Sequence, residues 1–411
     1  MGKEQKGKVE SGIAITQSVK TILDLLCEAK AIKDYLYESD DVHTGYKGKN
    51  SKQFKCDYIC NLEDGESILI HTANSMETTR FKGKQWDTLH YKRLHREIKY
   101  ALLIMPDELQ SKKSDYLNLR KQLLNNEIQS SIDAIYTQTE FIHFLEDRIY
   151  GEKRNGKKAA KTGTIFELIF AHVMSDERNF IRWKNDDHTQ VCWNYSLFKK
   201  VVDSLQLDAN SVKSISAEYR IPNLPDFPLS NGEIKKGGRP KTDVILKVTF
   251  NDNVTKKYTF SCKNSTKNNV SVLQFDPRYI VDLLEIEPKD RAVSLLEDYL
   301  SSGGPQNFEK FSHEESAEME RILSPYATQI EKWVMCGDER EKSTKDQRAE
   351  YILVNHIVEG GRSEYTLERI DDYLERMRKQ KKKKTYGTIF TWTVTKADEN
   401  GKKSIQLKAQ L

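Results

Sequence analysis

The sequence of 411 residues predicts an α/β fold of the α+β kind, which combines helices with strands. Two patterns support this fold class. In several segments apolar residues recur at helical spacing, and in others they alternate with polar residues between turn-forming residues. The length favours roughly two or three domains over one, each able to bury a core of its own.

The composition indicates a soluble protein with much charged surface, because 37% of the residues are hydrophobic and 31% are charged. No apolar run approaches the roughly 18 residues that a membrane span needs. The first residues, MGKEQKGKVESG, lack the apolar region of a signal peptide. We therefore expect a cytoplasmic protein.

The six cysteines are scattered along the chain, without a CxxC pair or a Cys/His group at zinc-finger spacing. Cys56 and Cys60 would share one face of a strand. We expect thiols without disulfides, with these two side chains in the core rather than at a metal.

Basic residues cluster in three segments although the net charge is only +4. The segments are GEKRNGKKAAK (151–161), KKGGRPK (235–241) and RMRKQKKKK (376–384). Such clusters suit contacts with DNA phosphates, whereas a single run is more typical of a solvated loop. Three runs together favour phosphate contacts, with Lys241 among the candidates.

The first 150 residues predict an N-terminal α+β domain. An apolar helical stripe comprises Ile15, Val19, Ile22 and Leu26. QFKCDYICNL and ESILIHTANS predict two strands around the turn EDGE, and LHREIKYALLIM predicts a further element. Helices are expected over 107–150, and the polar segment 151–161 predicts a basic linker to the next domain.

The second domain is expected over 162–411. TGTIFELIFAHVM (162–174) and YSLFKKVVDSLQL (195–207) predict amphipathic helices. A proline-rich loop over 219–240 leads to two strands. Further helices are expected at VSVLQFDPRYIVDLLEI (270–286), where a proline interrupts the pattern, and near 290–301, 313–336 and 366–380.

The C-terminal segment YGTIFTWTVTKADENGKKSIQLKAQL predicts a β-hairpin with Asn400-Gly401 as its turn. Alternation places apolar residues on one face, namely Trp392, Val394, Ile405 and Leu407. The other face carries Thr391, Thr393, Thr395, Gln406 and Lys408. A polar two-stranded ribbon suits the DNA major groove, although an ordinary half-buried hairpin shows the same alternation more often.

The stretch GGRPKTDVILKVTFNDNVTKKYTFSCKNSTKNNVSV (237–272) predicts two strands joined by a polar turn. Asp243 lies at the start of the first strand and Lys263 near the end of the second, so they meet if the apolar faces share a core. An aspartate can hold Mg²⁺ against a phosphate, and a lysine can orient or deprotonate the attacking water. The pattern alone is more typical of a surface salt bridge.

The same stretch resembles the core of the PD-(D/E)xK nucleases, and more closely the MspI family of type II restriction endonucleases. GGRPKTD, SCK and STKNNVS carry the resemblance. GTIFELIF, LSPYATQIEKW, IDDYLERM and the closing hairpin are similar to further family elements in the same order, over roughly residues 160–411. The resemblance implies a restriction-endonuclease-like core, with a central mixed sheet flanked by helices, and Mg²⁺ as the cofactor.

The resemblance also implies residue roles. Asp243 would be the metal-binding carboxylate and Lys263 the catalytic lysine. Ser261 stands where the superfamily has Asp or Glu and the MspI family has Asn, so Ser261 and the Cys262 backbone carbonyl would complete the site. Glu167 is similar to a family helix glutamate that would add negative charge through water; otherwise it is a helix-surface residue.

The family's substrate is double-stranded DNA, which the resemblance implies is cut at CCGG after the first cytosine. Base-contacting positions correspond to Ser271, Thr393 and Lys408. Lys396 replaces a family serine, which puts the recognition sequence in question. A cognate DNA cytosine methyltransferase would protect the host's own sites.

Residues 54–87, FKCDYICNLEDGESILIHTANSMETTRFKGKQWD, resemble a second nuclease core. Asp57 precedes one strand, and another strand ends at His71 and Thr72, without a lysine in the expected place. We expect either a degenerate, DNA-contacting copy or an unrelated packing or specificity domain. TTRFKGKQW offers phosphate contacts in either case.

Three functions stay open on the sequence alone. The first is a magnesium-dependent restriction endonuclease, and the second is a modification-dependent nuclease whose N-terminal part senses methylated DNA. The third is a DNA-binding protein weakened in catalysis, a function that the Ser261 substitution leaves open. The sequence has no HExxH motif, which argues against a zinc nuclease.

Overall fold

The computed structural model describes the chain except residues 1–2, 38–53, 75–77, 108–113, 126, 151–155, 188–191, 266–268, 306, 308, 359–361, 381–383, 398–400, 402 and 411. The described residues form two compact units. Unit 1 comprises residues 1–199 and 359–363, and unit 2 comprises residues 200–358 and 364–411. Each unit combines a mixed sheet with helices, which confirms the predicted α/β (α+β) class.

Unit 1 is built on a five-stranded sheet with the order β1-β2-β3-β4-β5. The strands are β1 (Asp34–Tyr37), β2 (Tyr58–Asn61), β3 (Ser67–Thr72), β4 (Ile98–Met105) and β5 (Ala134–Thr137). The pairs β1-β2 and β2-β3 are antiparallel, whereas β3-β4 and β4-β5 are parallel. The helices are α1 (Lys3–Glu28), α2 (Thr78–Leu94), α3 (Ser114–Leu124), α4 (Gln138–Tyr150), α5 (Gly156–Ser175), α6 (Glu177–Asn185) and α7 (Tyr195–Ser204), which continues into unit 2.

The core of unit 1 follows from the sequence periodicity. The apolar stripe of α1 is buried as predicted, because residues at helical spacing lie on one side of the helix. The predicted pair β2 and β3 is confirmed, and every residue of β3 is buried. β3 lies between β2 and the parallel strand β4, so it is an interior strand of the sheet.

Unit 2 is built on a five-stranded sheet with the order β6-β9-β10-β12-β13. The strands are β6 (Val212–Glu218), β9 (Val244–Phe250), β10 (Thr255–Ser265), β12 (Tyr351–Val358) and β13 (Arg362–Arg369). The pairs β6-β9 and β9-β10 are antiparallel, and β10-β12 is parallel. Two-residue strands β7 (Phe227–Pro228) and β8 (Ile234–Lys235) pair inside the proline-rich segment.

A second sheet of unit 2 has three strands in the order β11-β15-β14. They are β11 (Asn269–Phe275), β14 (Thr391–Val394) and β15 (Ile405–Gln410). This sheet shares one hydrophobic cluster with helices α8 (Pro277–Leu284), α9 (Lys289–Ser302), α10 (His313–Leu323), α11 (Ala327–Cys336) and α12 (Ile370–Gln380). Phe275 packs edge-on against both Trp333 and Trp392 in this cluster. The predicted C-terminal hairpin is confirmed; Asn400 of its predicted turn lies outside the described residues.

The predicted helix over 270–286 is wrong in its first half. Residues 269–275 form β11, and helix α8 begins at Pro277. The Asp276 side chain accepts the Arg278 N–H and caps the helix. β11 pairs with β15 far away in sequence, so tertiary pairing overrides the local pattern here.

Two further expectations need correction. Residues 156–161, predicted as linker, belong to the first turns of α5, and β5 interrupts the region 107–150 that was predicted as helical. The two compact units divide at residue 199, and the predicted domain boundaries stay a prediction.

All six cysteines are thiols rather than disulfides, and Cys56 and Cys60 are buried, as predicted. Among the described residues no helix is long and apolar enough to cross a bilayer. The cytoplasmic location stays a prediction.

Candidate active site

Asp243 directly precedes β9 and extends its pairing with β10 by one residue. Val244 pairs with Phe260, and the Asp243 N–H donates to the Phe260 carbonyl over 2.8 Å. Val244 and Leu246 are fully buried. Ile245 between them is 4% exposed, so the start of the strand is covered on both faces, and the pairing of Val244 with Phe260 gives the register. The register holds Asp243 opposite Ser261.

The Asp243 carboxylate has two hydrogen-bond donors and one ion-pair partner at Oδ2. The Cys262 N–H donates over 2.6 Å, the Ser261 hydroxyl donates over 3.3 Å, and Lys263 Nζ lies 3.6 Å away. Lys263 Nζ also donates to Ser261 Oγ over 2.8 Å and to the Cys262 carbonyl over 3.0 Å. The predicted meeting of Asp243 and Lys263 is therefore confirmed, while their catalytic roles stay a prediction.

This centre is open to a ligand. The side chains of Lys263 and Asp243 are 20% and 21% exposed, whereas Ser261 is buried. About a fifth of each of the two charged side chains therefore faces solvent, where a phosphate or a cation can reach the pair.

The oxygen atoms at this centre fit a hard divalent cation. Among the described residues no three His, Cys, Asp or Glu side chains group as a metal site. A cation beside Asp243 would therefore add the Cys262 carbonyl oxygen and the Ser261 hydroxyl to one carboxylate. Mg²⁺ accepts few protein ligands and keeps several waters, so this small set suits it.

Asp243, Ser261 and Lys263 line a cleft of about 360 Å³. The basic residues of the cleft also include Lys235, Lys236, Arg239 and Lys241. Cations gathered in a concave surface raise the local concentration of a polyanion. The predicted basic segment 235–241 therefore lines the same cleft as Asp243 and Lys263, and its contact with DNA phosphates stays a prediction.

Lys241 has an unusual electrostatic environment within this cleft. Its Nζ donates to the Val272 carbonyl over 3.1 Å. Burial first, and the Lys263 charge second, lower the pKa of Lys241 to about 7. Near pH 7 the charge of Lys241 would therefore depend on whether a phosphate is bound, because a bound phosphate would favour the protonated form.

Glu341 also lines the cleft but has fixed partners. Its Oε1 accepts the Tyr279 hydroxyl over 2.6 Å and the Trp333 indole N–H over 2.9 Å. Burial and the neighbouring Glu341 charge raise the pKa of Tyr279. A buried carboxylate satisfied by two donors is structural, and it anchors the wall of the cleft.

The polar face of the hairpin continues onto β11. Lys408 of β15 lies opposite Ser271 on one side and Thr391 on the other. The Gln406 side chain donates to Ser271 Oγ over 3.0 Å, and Thr393 Oγ1 donates to the Gln406 carbonyl over 3.2 Å. The opposite face is buried through Trp392, Ile405 and Leu407. Three predicted DNA-binding residues, Ser271, Thr393 and Lys408, thus share one polar surface.

Comparison with known proteins decides the family. The profile described as restriction endonuclease MspI matches residues 143–409, more than half of the chain. The chain belongs to the MspI family of restriction endonucleases. As a member of the MspI family, it is a type II site-specific nuclease.

Relatives of this MspI-family enzyme include the type II restriction enzyme MspI of Moraxella sp. The two are 20% identical over 243 residues, which cover 58% of this chain and 87% of the relative. A crystal structure of restriction endonuclease MspI in complex with its cognate DNA covers 72% of this chain and 100% of that chain. The identity is 16% and the TM-score is 0.47.

The roles of two further predicted site residues of the MspI-family enzyme stay predictions. Glu167 lies on α5 in unit 1, whereas Asp243 lies in unit 2, so its assistance to the metal site stays a prediction. Lys396 is exposed just beyond β14, and its role in recognition stays a prediction.

Sequence reasoning missed Glu341 as part of the cleft. Its signal was the capping pattern Asp338-x-x-Glu341, which marks a helix start and says nothing of a site. Gln406 was placed on the polar face but not next to Ser271, since that contact depends on the unpredicted strand β11.

Proposed function

We propose that this MspI-family enzyme is a magnesium-dependent type II restriction endonuclease that cuts double-stranded DNA at CCGG after the first cytosine. The observation that carries the proposal is the Asp243–Ser261–Lys263 centre, on the strand pair whose motifs carry the family resemblance. It is partly exposed and lines a basic cleft. A cognate DNA cytosine methyltransferase is its functional partner.

Different residues of the chain have different roles in the proposed reaction. Asp243 and the Cys262 carbonyl would hold Mg²⁺, which when bound polarises the scissile phosphate and stabilises charge on the leaving oxygen. The Lys263 ammonium offsets negative charge on the phosphate and orients the attacking water. Ser261 holds Lys263 Nζ through a 2.8 Å hydrogen bond and thereby fixes the lysine beside the carboxylate.

Recognition is assigned to the polar surface of the three-stranded sheet. Ser271, Thr393 and Lys408 would contact base edges, because hydroxyl and ammonium groups read donors and acceptors in the major groove. Lys241 would contact a phosphate at the cleft. Lys396 in place of a family serine is the position that puts the recognition sequence, rather than the chemistry, in question.

One alternative has an observation in its favour. Ser261 is a neutral residue where the superfamily has a carboxylate, and a hydroxyl binds Mg²⁺ more weakly. A DNA-binding protein with weakened catalysis is therefore the second candidate. A modification-dependent endonuclease is the third candidate. Comparing the cleavage of unmethylated and CpG-methylated plasmid tests it.

Cleavage of plasmid DNA tests the proposed catalytic centre. We expect Lys263→Ala to lower the cleavage rate by at least about 100-fold while DNA binding is retained, because a transition-state contact is lost. Lys257→Ala on the same strand is the matched control, since Lys257 pairs with Asp346 away from the centre. Full cutting by Lys263→Ala would show that the centre is wrongly assigned.

The substrate is tested by mapping the ends of unmethylated and CpG-methylated plasmid after incubation with Mg²⁺. Cuts at CCGG in unmethylated DNA alone are expected. Cuts confined to methylated DNA would favour the modification-dependent enzyme, and binding without cuts would favour the weakened one.

A further inference from the structure

The sheets of the two units share a local topology. In unit 1, β1, β2 and β3 are antiparallel neighbours and β4 is parallel to β3. In unit 2, β6, β9 and β10 are antiparallel neighbours and β12 is parallel to β10. The strand pair β2-β3 of unit 1 therefore corresponds to β9-β10, the pair that carries the candidate active site.

Asp57 occupies the position in unit 1 that Asp243 occupies in unit 2. Its N–H donates to the Ile70 carbonyl over 3.0 Å, and the Thr72 N–H donates to Asp57 Oδ2 over 2.5 Å. The equivalent bonds of Asp243 involve the Phe260 carbonyl and the Cys262 N–H. By this register His71 corresponds to Ser261, Thr72 to Cys262 and Ala73 to Lys263.

The amine that β3 lacks comes from another element. Lys84 of α2 places Nζ 3.5 Å from Asp57 Oδ2, compared with 3.6 Å between Lys263 and Asp243. Both side chains of the Asp57–Lys84 pair are 21% exposed, so this pair is as open as the one in unit 2. Two centres of one chain thus share a carboxylate geometry, an amine distance and an exposure.

Two neighbouring residues of β3, Thr72 and His71, supply the other polar side chains considered beside Asp57. The Thr72 hydroxyl donates to Asp57 Oδ2 over 3.1 Å, in the role that the Ser261 hydroxyl has beside Asp243. His71 is buried, and its Nε2 lies 3.0 Å from Thr88 Oγ1. Burial, and to a smaller extent Lys84, lower the pKa of His71, so it adds no cation beside Asp57.

We propose that Asp57, Thr72 and Lys84 form a second nuclease-like site, which binds a divalent cation and a phosphate of the DNA backbone. The carboxylate and hydroxyl are hard oxygen ligands of the kind that Mg²⁺ and Ca²⁺ accept. With a cation neutralising Asp57, the Lys84 ammonium is released for the phosphate. The site extends the chain's contacts with DNA into unit 1 and does not require that unit 2 cuts.

The test measures DNA binding by the full chain carrying Asp243→Asn, which removes the cation ligand of unit 2. Fluorescence anisotropy with a labelled duplex compares Ca²⁺ with EDTA. We expect Ca²⁺ to tighten binding about tenfold, and Asp57→Asn in the same chain to abolish that gain. Asparagine keeps the acceptor for the Thr72 N–H, and a melting curve checks the fold.

Lys84→Ala provides an independent variant, with Lys82→Ala on the same helix as its matched control. We expect the Lys84 change to weaken Ca²⁺-dependent binding and the Lys82 change to have a smaller effect, because Lys82 is exposed and lacks the Asp57 contact in the described structure. Equal losses from both variants would overturn the proposal, since they would indicate general charge attraction. Binding by Asp243→Asn that does not respond to Ca²⁺, or a Ca²⁺ response that survives Asp57→Asn, would also overturn it. Loss of cleavage in Asp243→Asn bears on unit 2 alone.

Discussion

At the scale of single residues, Ser261 decides how the centre of unit 2 works. It stands opposite Asp243, donates to that carboxylate and accepts from Lys263. A hydroxyl can both donate and accept, whereas a carboxylate only accepts. Ser261 therefore connects the aspartate to the lysine. Compared with a carboxylate at this position, it offers a cation one negative charge fewer.

Ser261→Asp is expected to lower the Mg²⁺ concentration that gives half-maximal cleavage, by about tenfold, because a second carboxylate ligates the ion directly. Without a cation, two adjacent carboxylates repel each other, so the free energy of unfolding should fall. Ser261→Asn is the control of similar size without charge. An unchanged Mg²⁺ requirement in Ser261→Asp would contradict a cation site at Asp243.

Lys241 gives a prediction on pH. Its folded pKa of about 7 lies below the usual 10.5, so between these values the unfolded chain binds more protons than the folded one. The free energy of unfolding contributed by Lys241 therefore rises with pH from about 7 to 10.5, and its charging penalty is fully present below pH 7.

Lys241→Met should reduce the slope of unfolding free energy against pH in that window by up to about 1.4 kcal/mol per pH unit. Urea unfolding at several pH values measures the slope. Lys236→Met is the control, because Lys236 is exposed and pairs with Asp226. Identical slopes for Lys241→Met and the unmodified protein would show that Lys241 is not desolvated.

At the scale of elements, the basic loop before β9 depends on a close backbone approach. A Cβ on Gly237 would lie 1.6 Å from the Leu224 carbonyl oxygen, whereas a Cβ on Gly238 meets no atom within 4 Å. The loop is closed by the Leu224 N–H donating to the Gly238 carbonyl. Glycine at 237 is therefore required by the contact between the two segments.

Gly237→Ala should lower the free energy of unfolding by about 1–3 kcal/mol, because the segments must separate to admit a methyl group. It should also weaken DNA binding, since Lys235, Lys236 and Arg239 line the cleft from this loop. Gly238→Ala is the matched control. Chemical denaturation and anisotropy measure the two effects, and equal behaviour of the two variants would refute the packing argument.

At the scale of the whole molecule, two sheets of the chain share a run of two antiparallel pairings followed by one parallel pairing. Each places an aspartate opposite the end of a buried strand, with a lysine amine within 3.6 Å. The likeness lies in the strand pairs and their aspartates, whereas the two lysines come from different elements.

The sequence by itself determined the features that depend on local period and local motif. The α1 stripe, the strand pairs β2-β3 and β9-β10, the two-faced C-terminal hairpin and the meeting of Asp243 with Lys263 were all predictable, because alternation specifies which side chains share a face. The family motifs added the catalytic interpretation.

Only the tertiary structure decided what depends on partners distant in sequence. β6, β12 and β13 complete the sheet of unit 2, β11 turns from a predicted helix into a strand beside β15, and Lys84 reaches Asp57 from α2. No periodicity encodes these pairings, because each is stabilised by burial and hydrogen bonds that exist only when remote segments come together.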